Sequence, residues 1–327
     1  FGVWNHQNKS ISRFAHLGWL GIIGLKYFNS PKKTKLILSL DGGGVRAIAE
    51  VVFLKQLEIA SGRKIFDLFD FFIGTSAGGI NALHFAGRGS DCFELEEFWS
   101  KENLAKTMSK SFWDNASFLQ TKPKYDGVGK RYVLLEYFQD QSLGEAKKSV
   151  AVLAYDVESR KPRLLSSYDS PGIKMVSAAS ATSAAPIYYS TQEIDDGTWL
   201  IDGGIVANNP SLLGYSEAKK LFPDYEIKVL SIGTGINRRK INGKNSAKWG
   251  AINWFNHDIL GIMLESSMFD EIASDLMGEN YLRVNSSTGL VNRRMDDTSE
   301  VNLERINLMG MEWWSDFGDQ TLDFLNV

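Results

Sequence analysis

A short apolar run, a glycine-flanked serine and a helical pattern follow one another in FFIGTSAGGINALH, residues 71–84. The run Phe71–Ile73 predicts a buried strand, and the residues after the turn predict a helix through His84. The turn Gly74–Gly79 contains the pattern G-x-S-x-G, which holds a serine on a sharp bend with its hydroxyl exposed. Ser76 is therefore a candidate nucleophile. On this pattern alone, an ordinary serine in a helix-packing turn is the alternative.

A second glycine-rich turn, Asp41–Arg46 (DGGGVR), directly follows the predicted strand Lys35–Leu40. A helical pattern over Val45–Ala60 comes next, so the turn exposes backbone N–H groups at a helix start, where they stabilise an anion. The turn lacks the G-x-x-x-x-G-K-[ST] and G-x-G-x-x-G patterns of phosphate-binding loops. An oxyanion hole fits instead, since its donors must lie where charge develops on an attacked carbonyl. Arg46 can add positive charge near this turn; the alternative is a surface salt bridge.

A third turn, Asp202–Gly204, follows the predicted strand Thr198–Ile201 and continues into Asn208 and Asn209. Glycines at this position let the carboxylate at the strand end approach other backbone closely. The two asparagine side chains can brace the loop through hydrogen bonds. Taken alone, D-G-G is a common structural turn.

A serine nucleophile usually works with a histidine as its base. The chain contains four histidines: His6, His16, His84 and His257. Only His257 follows the order serine, acid, histidine, and it lacks the flanking loop pattern. We expect all four to be packed or surface side chains. Direct proton transfer from Ser76 to Asp202 is then the simpler arrangement, but burial must raise the pKa of Asp202 above its usual value of ~3.9.

Strand and helix patterns alternate along the remainder of the chain. The other strand predictions are Ser149–Tyr155, Arg163–Ser167, Glu226–Ile232 and, as an edge strand, Tyr281–Asn285. Long helical patterns cover Asp258–Met277 and roughly Glu300–Trp314. Such alternation predicts a layered α/β fold with a mostly parallel sheet. No linker is long enough to divide the chain, so we predict one domain over residues 34–327, with a helical C-terminal part from about residue 245.

Residues 1–33 form a predicted N-terminal extension. It contains the apolar stretch Leu17–Leu25, whose nine residues are the longest such run in the chain and fall far short of the ~20 needed to span a bilayer. The extension is predicted to be an interfacial or lid segment; the alternative is a helix packed on the core. We therefore expect a cytoplasmic protein in at most peripheral contact with a membrane, although a secreted effector is an alternative.

The composition excludes several classes of protein. Of the 327 residues, 43% are hydrophobic and 23% are charged, which is typical of a globular chain and not of a disordered one. The formal net charge of −3 gives no basic excess, so a nucleic-acid partner is not expected. Cys92 is the single cysteine, so no intrachain disulfide can form.

Five segments together resemble the patatin-like phospholipase family. They are DGGGVRA at 41–47, GTSAGG at 74–79, ASATSAAP at 179–186, DGGIVANNP at 202–210 and GTG at 233–235. The resemblance covers roughly residues 35–235. It implies a three-layer α/β/α fold, a Ser–Asp dyad without histidine, and hydrolysis of acyl esters in phospholipids or other acyl lipids. One departure is Ala47, where the family usually has glycine.

The resemblance also implies roles for individual residues. Ser76 is matched to the nucleophile, Asp202, 126 positions later, to the base, and Gly42, Gly43 and Gly44 to the oxyanion hole. The expected enzyme is a phospholipase A type lipid acyl hydrolase that passes through an acyl-enzyme. The sequence contains no calcium-loop pattern and no Cys/His cluster with zinc-ligand spacing, so no metal or cofactor is expected.

Two alternatives to a constitutive enzyme stay open. One is a phospholipase effector that a second messenger or a host protein activates. The other is a lipid-binding or storage protein whose dyad is catalytically idle.

The segment after Gly235 contains Arg238, Arg239 and Lys240 without a neighbouring acid. It follows a predicted strand whose C-terminal end faces the same side as the other two loops. We therefore predict that these residues, with Arg46, bind the headgroup of a lipid substrate; the alternative is an ordinary solvated surface.

Overall fold

The computed structural model describes residues 33–109, 122–250, 253–254, 257, 261–262 and 267–327. Within these residues, eight strands form one sheet. The strands are β1 (Thr34–Leu40), β2 (Phe71–Thr75), β3 (Ser149–Asp156), β4 (Lys161–Ser166), β5 (Gln192–Glu193), β6 (Trp199–Asp202), β7 (Glu226–Ile232) and β8 (Tyr281–Val284).

The α-helices of the same residues surround this sheet. They are α1 (Ile48–Ser61), α2 (Ile65–Leu68), α3 (Ser76–Leu83), α4 (Cys92–Phe98), α5 (Lys101–Thr107), α6 (Val128–Phe138), α7 (Met175–Thr182), α8 (Gly204–Ala207), α9 (Ser211–Leu221), α10 (Gly243–Ser246), α11 (Ser267–Met277) and α12 (Glu300–Leu325). Short 3-10 turns cover Gly44–Ala47, Leu143–Glu145 and Gly278–Asn280, and a π-helical turn covers His84–Arg88.

The sheet has the strand order β5-β6-β3-β2-β1-β7-β8, and β4 pairs additionally with β3. The central pairs β3–β2, β2–β1, β1–β7 and β7–β8 are parallel. Antiparallel pairing occurs only at one end of the described sheet, where β3 contacts β4 and β6, and β5 contacts β6. The mostly parallel sheet predicted from the sequence is confirmed.

Successive residues of the central strands point into opposite layers of the molecule. Leu38 of β1 lies in a buried cluster with side chains of α1 and with Trp313 of α12. Its neighbour Ile37 lies in a second cluster with Ala218 of α9 and Met277 of α11. Apolar side chains are therefore required on both faces of the strand, which explains its near-continuous apolar run. The predicted three-layer α/β/α fold is confirmed.

Most predicted elements are present with small shifts at their ends. β7 has the predicted bounds, and β8 lies at the edge of the sheet as expected. Helix α3 already begins at Ser76, so the predicted turn Gly74–Gly79 is partly helical. The last helix continues to Leu325 instead of ending near Trp314, because Thr321 and Leu325 extend its buried face.

Some predictions lie outside the described residues. Residues 1–32, which include the predicted lid or interfacial segment, are among them, as are 258–260 and 263–266 of the helical pattern Asp258–Met277. The division into an extension and a catalytic domain stays a prediction. In the described ranges, no helix combines the length and apolarity that crossing a membrane requires.

Candidate active site

The ends of β2 and β6 meet on one edge of β3. Thr75 at the end of β2 pairs with Leu153, and Asp202 at the end of β6 pairs with the next residue, Ala154. Strand β4 pairs with both of these β3 residues and occupies the opposite edge. Because β2 runs parallel and β6 antiparallel to β3, their C-terminal ends face each other. Ser76 and Asp202 are thereby brought together.

Ser76 adopts a left-handed backbone conformation, with φ of 54°, between the extended Thr75 and the body of α3. A non-glycine residue in this region is strained, and such strain commonly occurs at functional sites. The tight turn depends on its glycines. A Cβ on Gly74 would lie 2.3 Å from the carbonyl oxygen of Gly78, and one on Gly78 would lie 2.4 Å from that of Asp41.

The hydroxyl of Ser76 donates a hydrogen bond to Asp202 Oδ2 at 2.6 Å. The other carboxylate oxygen accepts the Gly204 amide at 2.7 Å, so both oxygens have partners. Burial raises the pKa of Asp202 to about 6, although the hydrogen bonds from Ser76 and Gly204 and the charge of Lys130 act in the opposite direction. The carboxyl is thus a stronger base than an exposed aspartate.

No histidine contacts this pair in the part of the chain that the structure describes. His84 is buried against the rings of Phe98 and Phe138, and burial lowers its pKa to about 3. His257 is exposed and stacks on Trp249 with ring centroids 3.9 Å apart. Both are packed or surface side chains, as expected. His6 and His16 lie outside the described residues.

The DGGG turn closes over Ser76. The amides of Gly43 and Gly44 have no protein acceptor among the described residues, and both residues line the pocket in front of Ser76. The amide of Gly42 instead donates to the carbonyl of Asn208 at 3.1 Å. The prediction that Gly42 supplies an oxyanion donor therefore needs correction. Its small size is what matters, since a Cβ there would lie 2.3 Å from Asn208 Oδ1.

A buried ion pair that the sequence analysis missed holds the start of this turn. Both carboxylate oxygens of Asp41 accept hydrogen bonds from Arg283 of β8, at 2.9 and 2.5 Å. Arg283 also donates to Ser231 at 2.8 Å and lies 3.4 Å from Asp270. Burial raises the pKa of Asp41 to about 6 against the effect of Arg283. The two partners are 242 positions apart, so no local pattern indicates their contact.

The predicted basic residues do not gather around Ser76. Arg46 is only 4% exposed, so the surface salt bridge considered for it is wrong. Its side chain lines a polar cavity behind the DGGG turn, beside Asp41 and Arg283, and not the pocket that contains Ser76.

The basic residues of the loop after β7 are at the surface. Arg238, Arg239 and Lys240 are exposed, and Arg239 donates to the carbonyl of Val291 at 3.2 Å. Their role in binding a headgroup stays a prediction.

An apolar pocket lies in front of Ser76 and Asp202. Its lining includes aliphatic and aromatic side chains from several segments: Ile80, Trp99, Met108, Tyr188, Ile205 and Met295. One buried cation, Lys130, also faces the pocket. A mostly apolar wall with a few converging polar groups is typical of a ligand site and suits a hydrocarbon chain. Among the described residues, no group of three or more His, Cys, Asp or Glu side chains is placed to hold a metal.

A sequence model of one family, described as patatin-like phospholipase, matches residues 38–213. This range contains Ser76, Asp202 and the DGGG turn, and it is more than half of the chain. The chain belongs to the patatin-like phospholipase family. The family predicted from the five motifs is confirmed, and the match lies within the range of roughly 35–235 over which the motifs occur.

Curated relatives extend the similarity beyond that range. The chain is 31% identical over 335 residues to patatin-like protein 1 of Arabidopsis thaliana, covering 84% of this chain and 80% of that protein. It is 28% identical over 295 residues to a cGAMP-activated phospholipase of Pseudomonas aeruginosa, covering 86% of each. Among solved structures, VipD from Legionella pneumophila has a TM-score of 0.51 at 15% identity over 91% of this chain and 67% of that one, which shows a shared fold.

We expect the ion pair of Asp41 and Arg283 to stabilise the DGGG turn. Arg283→Met leaves the Asp41 carboxylate buried without its partner, which should lower the free energy of unfolding by about 3–5 kcal/mol. The double variant Asp41→Asn/Arg283→Met removes both charges and should lose less. Urea unfolding of the three proteins measures this. A double variant that loses as much stability as Arg283→Met, or more, would contradict this expectation.

Proposed function

We propose that this patatin-like protein is a lipid acyl hydrolase of phospholipase A type, with Ser76 as nucleophile and Asp202 as base. The single observation that carries this proposal is the 2.6 Å hydrogen bond from the Ser76 hydroxyl to the buried Asp202 carboxylate, at the floor of an apolar pocket. In a serine hydrolase the nucleophile needs a base within hydrogen-bonding distance.

The first half-reaction forms an acyl-enzyme. Asp202 takes the proton of the Ser76 hydroxyl as the Ser76 oxygen attacks the carbonyl carbon of the ester. The carbonyl oxygen becomes an oxyanion, for which the amides of Gly43 and Gly44 are the proposed donors. The tetrahedral intermediate then breaks its bond to the alcohol oxygen. That oxygen receives the proton from Asp202, and the lysolipid leaves.

The second half-reaction regenerates the serine. Water enters the space that the lysolipid has left, and Asp202 takes a proton from it as its oxygen attacks the acyl carbon. The bond to Ser76 Oγ breaks, the serine recovers its proton from Asp202, and a fatty acid is released. The same carboxylate therefore acts as base and acid in both halves, and no imidazole is needed.

The apolar pocket supports a lipid as the acyl donor. Each methylene that a substrate buries there contributes roughly 0.8 kcal/mol to binding. The pocket surrounds Ser76 with Ile80, Met108 and Ile205, which offer no hydrogen bonds to a polar substrate. We infer that a long acyl chain lies along these side chains and that the headgroup stays outside, where Arg238, Arg239 and Lys240 can meet an anionic membrane surface.

A second candidate is the same lipid acyl hydrolase with an activity that depends on an activator. The relative in Pseudomonas aeruginosa, similar over 86% of this chain, is named a cGAMP-activated phospholipase. Activation by a second messenger is therefore a specific candidate for this chain. A storage or lipid-binding role with an idle dyad is less well supported, because Ser76 and Asp202 are hydrogen-bonded to each other and both line the apolar pocket.

Loss of Ser76 should abolish the proposed chemistry, and loss of Asp202 should slow it strongly. Ser76→Ala should lose both fatty-acid release from phospholipid vesicles and labelling by a fluorophosphonate, because it removes the hydroxyl that is hydrogen-bonded to Asp202. Asp202→Asn should lower the rate by about 10²–10⁴-fold, since it removes the general base. Ser190→Ala, an exposed serine, is the matched control and should behave as wild type. Labelling or activity that survives in Ser76→Ala contradicts the proposal.

The rate should depend on pH through the ionisation of Asp202. Its pKa is raised to about 6 by burial, and only the ionised form accepts the serine proton. Below pH 6 the value of kcat/KM should therefore fall about tenfold per pH unit, and above it should level off. The pKa of Asp41 is also about 6, so Asp41→Asn/Arg283→Met is the control. An acidic limb that disappears in this double variant would assign the titration to Asp41 and not to the base.

A further inference from the structure

A single short segment holds the backbone of both dyad residues. Thr182 Oγ1 accepts the amide of Ser76 at 3.0 Å and donates to the carbonyl of Leu153 at 2.5 Å. Two residues later, the carbonyl of Ala184 accepts the amide of Asp202 at 3.1 Å. Residues 182–184, which belong to the ASATSAAP motif, therefore connect the two strand ends; we call them the bracket.

Lys130 binds the same segment from helix α6. Its Nζ donates to the carbonyl oxygens of Ser180 and Ser183, at 3.3 and 3.1 Å, and to Ser183 Oγ at 3.2 Å. The ammonium also lies 3.9 Å from the ring centroid of Tyr189. Lysine is rarely buried unless it is paired, yet this side chain is only 4% exposed.

The position of this ammonium has two physical consequences. Its acceptors are at the C-terminal end of α7, where carbonyl groups lack helical partners and a positive charge is favourable. It also lies in the wall of the pocket that contains Asp202, and each of the two groups acts on the pKa of the other through its charge. Lys130 is thus linked to the dyad in two ways. Its hydrogen bonds hold the segment that binds the backbone of Ser76 and Asp202, and its charge acts on the carboxylate of Asp202.

We propose that Lys130 is a positioning residue for the dyad: it fixes the bracket by binding the end of α7, and it places a positive charge beside Asp202. The bracket in turn holds the backbone amides of Ser76 and Asp202, so that the Ser76 hydroxyl and the Asp202 carboxylate stay within hydrogen-bonding distance. The catalytic part of this inference rests on the proposed hydrolase function; the structural part does not.

The charge of Lys130 shifts the pKa of Asp202 in a defined direction. Lys130 lowers the pKa of Asp202 and so opposes the effect of burial. Within the described ranges, the titratable groups that face the ammonium are Asp202 from β6 and Tyr189 from the loop after α7; Tyr189 in turn faces Asp296 and Asp126. Burial lowers the pKa of Lys130 to about 7. Most Lys130 side chains are therefore charged at the midpoint of the Asp202 titration, near pH 6, and removal of this charge raises the pKa of Asp202.

The test compares two variants of Lys130 with a matched lysine elsewhere. Lys130→Met removes charge and donors, whereas Lys130→Gln keeps a donor and removes the charge. Lys148→Met is the control, because Lys148 also donates to two backbone carbonyls, those of Phe66 and Phe69, but lies at the start of β3, at the opposite end of that strand from the dyad. All three are measured with wild type for kcat, KM and the pH dependence of kcat/KM.

Both Lys130 variants should move the acidic limb of kcat/KM to higher pH, and Lys148→Met should not. Lys130→Met should also lower kcat, by on the order of 10²-fold at most, with little change in KM, because misplacement of reacting groups acts on the chemical step. Lys130→Gln should retain more of kcat than Lys130→Met. An acidic limb that stays at the wild-type pH in both variants overturns the proposal.

Hydrogen exchange tests the bracket without any substrate. In Lys130→Met, the amides of Ser76 and Asp202 should lose protection relative to wild type and to Lys148→Met. This readout remains decisive if the protein hydrolyses no lipid, so failure of the proposed function is distinguished from failure of this inference. Unchanged protection of both amides in a folded Lys130→Met protein overturns the proposal.

Discussion

Backbone pairing along one edge of β3 is the constraint on which the candidate site depends. Strands β2 and β6 reach that edge from opposite directions and end beside Leu153 and Ala154. The backbone hydrogen bonds of the sheet therefore place Ser76 and Asp202 side by side. Closing a loop of 126 residues is entropically costly, and the sheet as a whole stabilises this closure. The 2.6 Å contact between hydroxyl and carboxylate is thus a consequence of the topology.

Close approach of backbone segments explains why small residues surround the dyad. A Cβ on Gly203 would lie 2.2 Å from the carbonyl oxygen of Leu153, and Gly74, Gly78 and Gly42 are comparably crowded. Dense packing also excludes water from the two ionisable groups at the site. Burial raises the pKa of Asp202 and lowers that of Lys130, which favours the neutral form of each group, whereas the charge of each group favours the charged state of the other. The close packing of the site therefore explains both its need for glycine and the shifted pKa values of Asp202 and Lys130.

Local patterns predict the parts of this protein that depend on neighbouring residues. The apolar runs of β1, β2 and β7 and the glycines at their ends indicate the strands, the parallel sheet and the segments that carry Ser76 and Asp202. Contacts between distant segments were not predictable in this way. Arg283 pairs with Asp41 across 242 positions, and the Gly42 amide, which the motif predicts as an oxyanion donor, donates to Asn208 instead.

A crystal structure of the protein after reaction with an alkyl fluorophosphonate tests the roles of Ser76 and Asp202 most directly. We expect phosphorus bonded to Ser76 Oγ, with the phosphoryl oxygen about 3 Å from the amide nitrogens of Gly43 and Gly44. Asp202 should remain beside the adduct, and the Gly42 amide should remain bonded to Asn208. An adduct on another residue, or an imidazole between Ser76 and Asp202, would contradict the assignment of Ser76 and Asp202 as nucleophile and base.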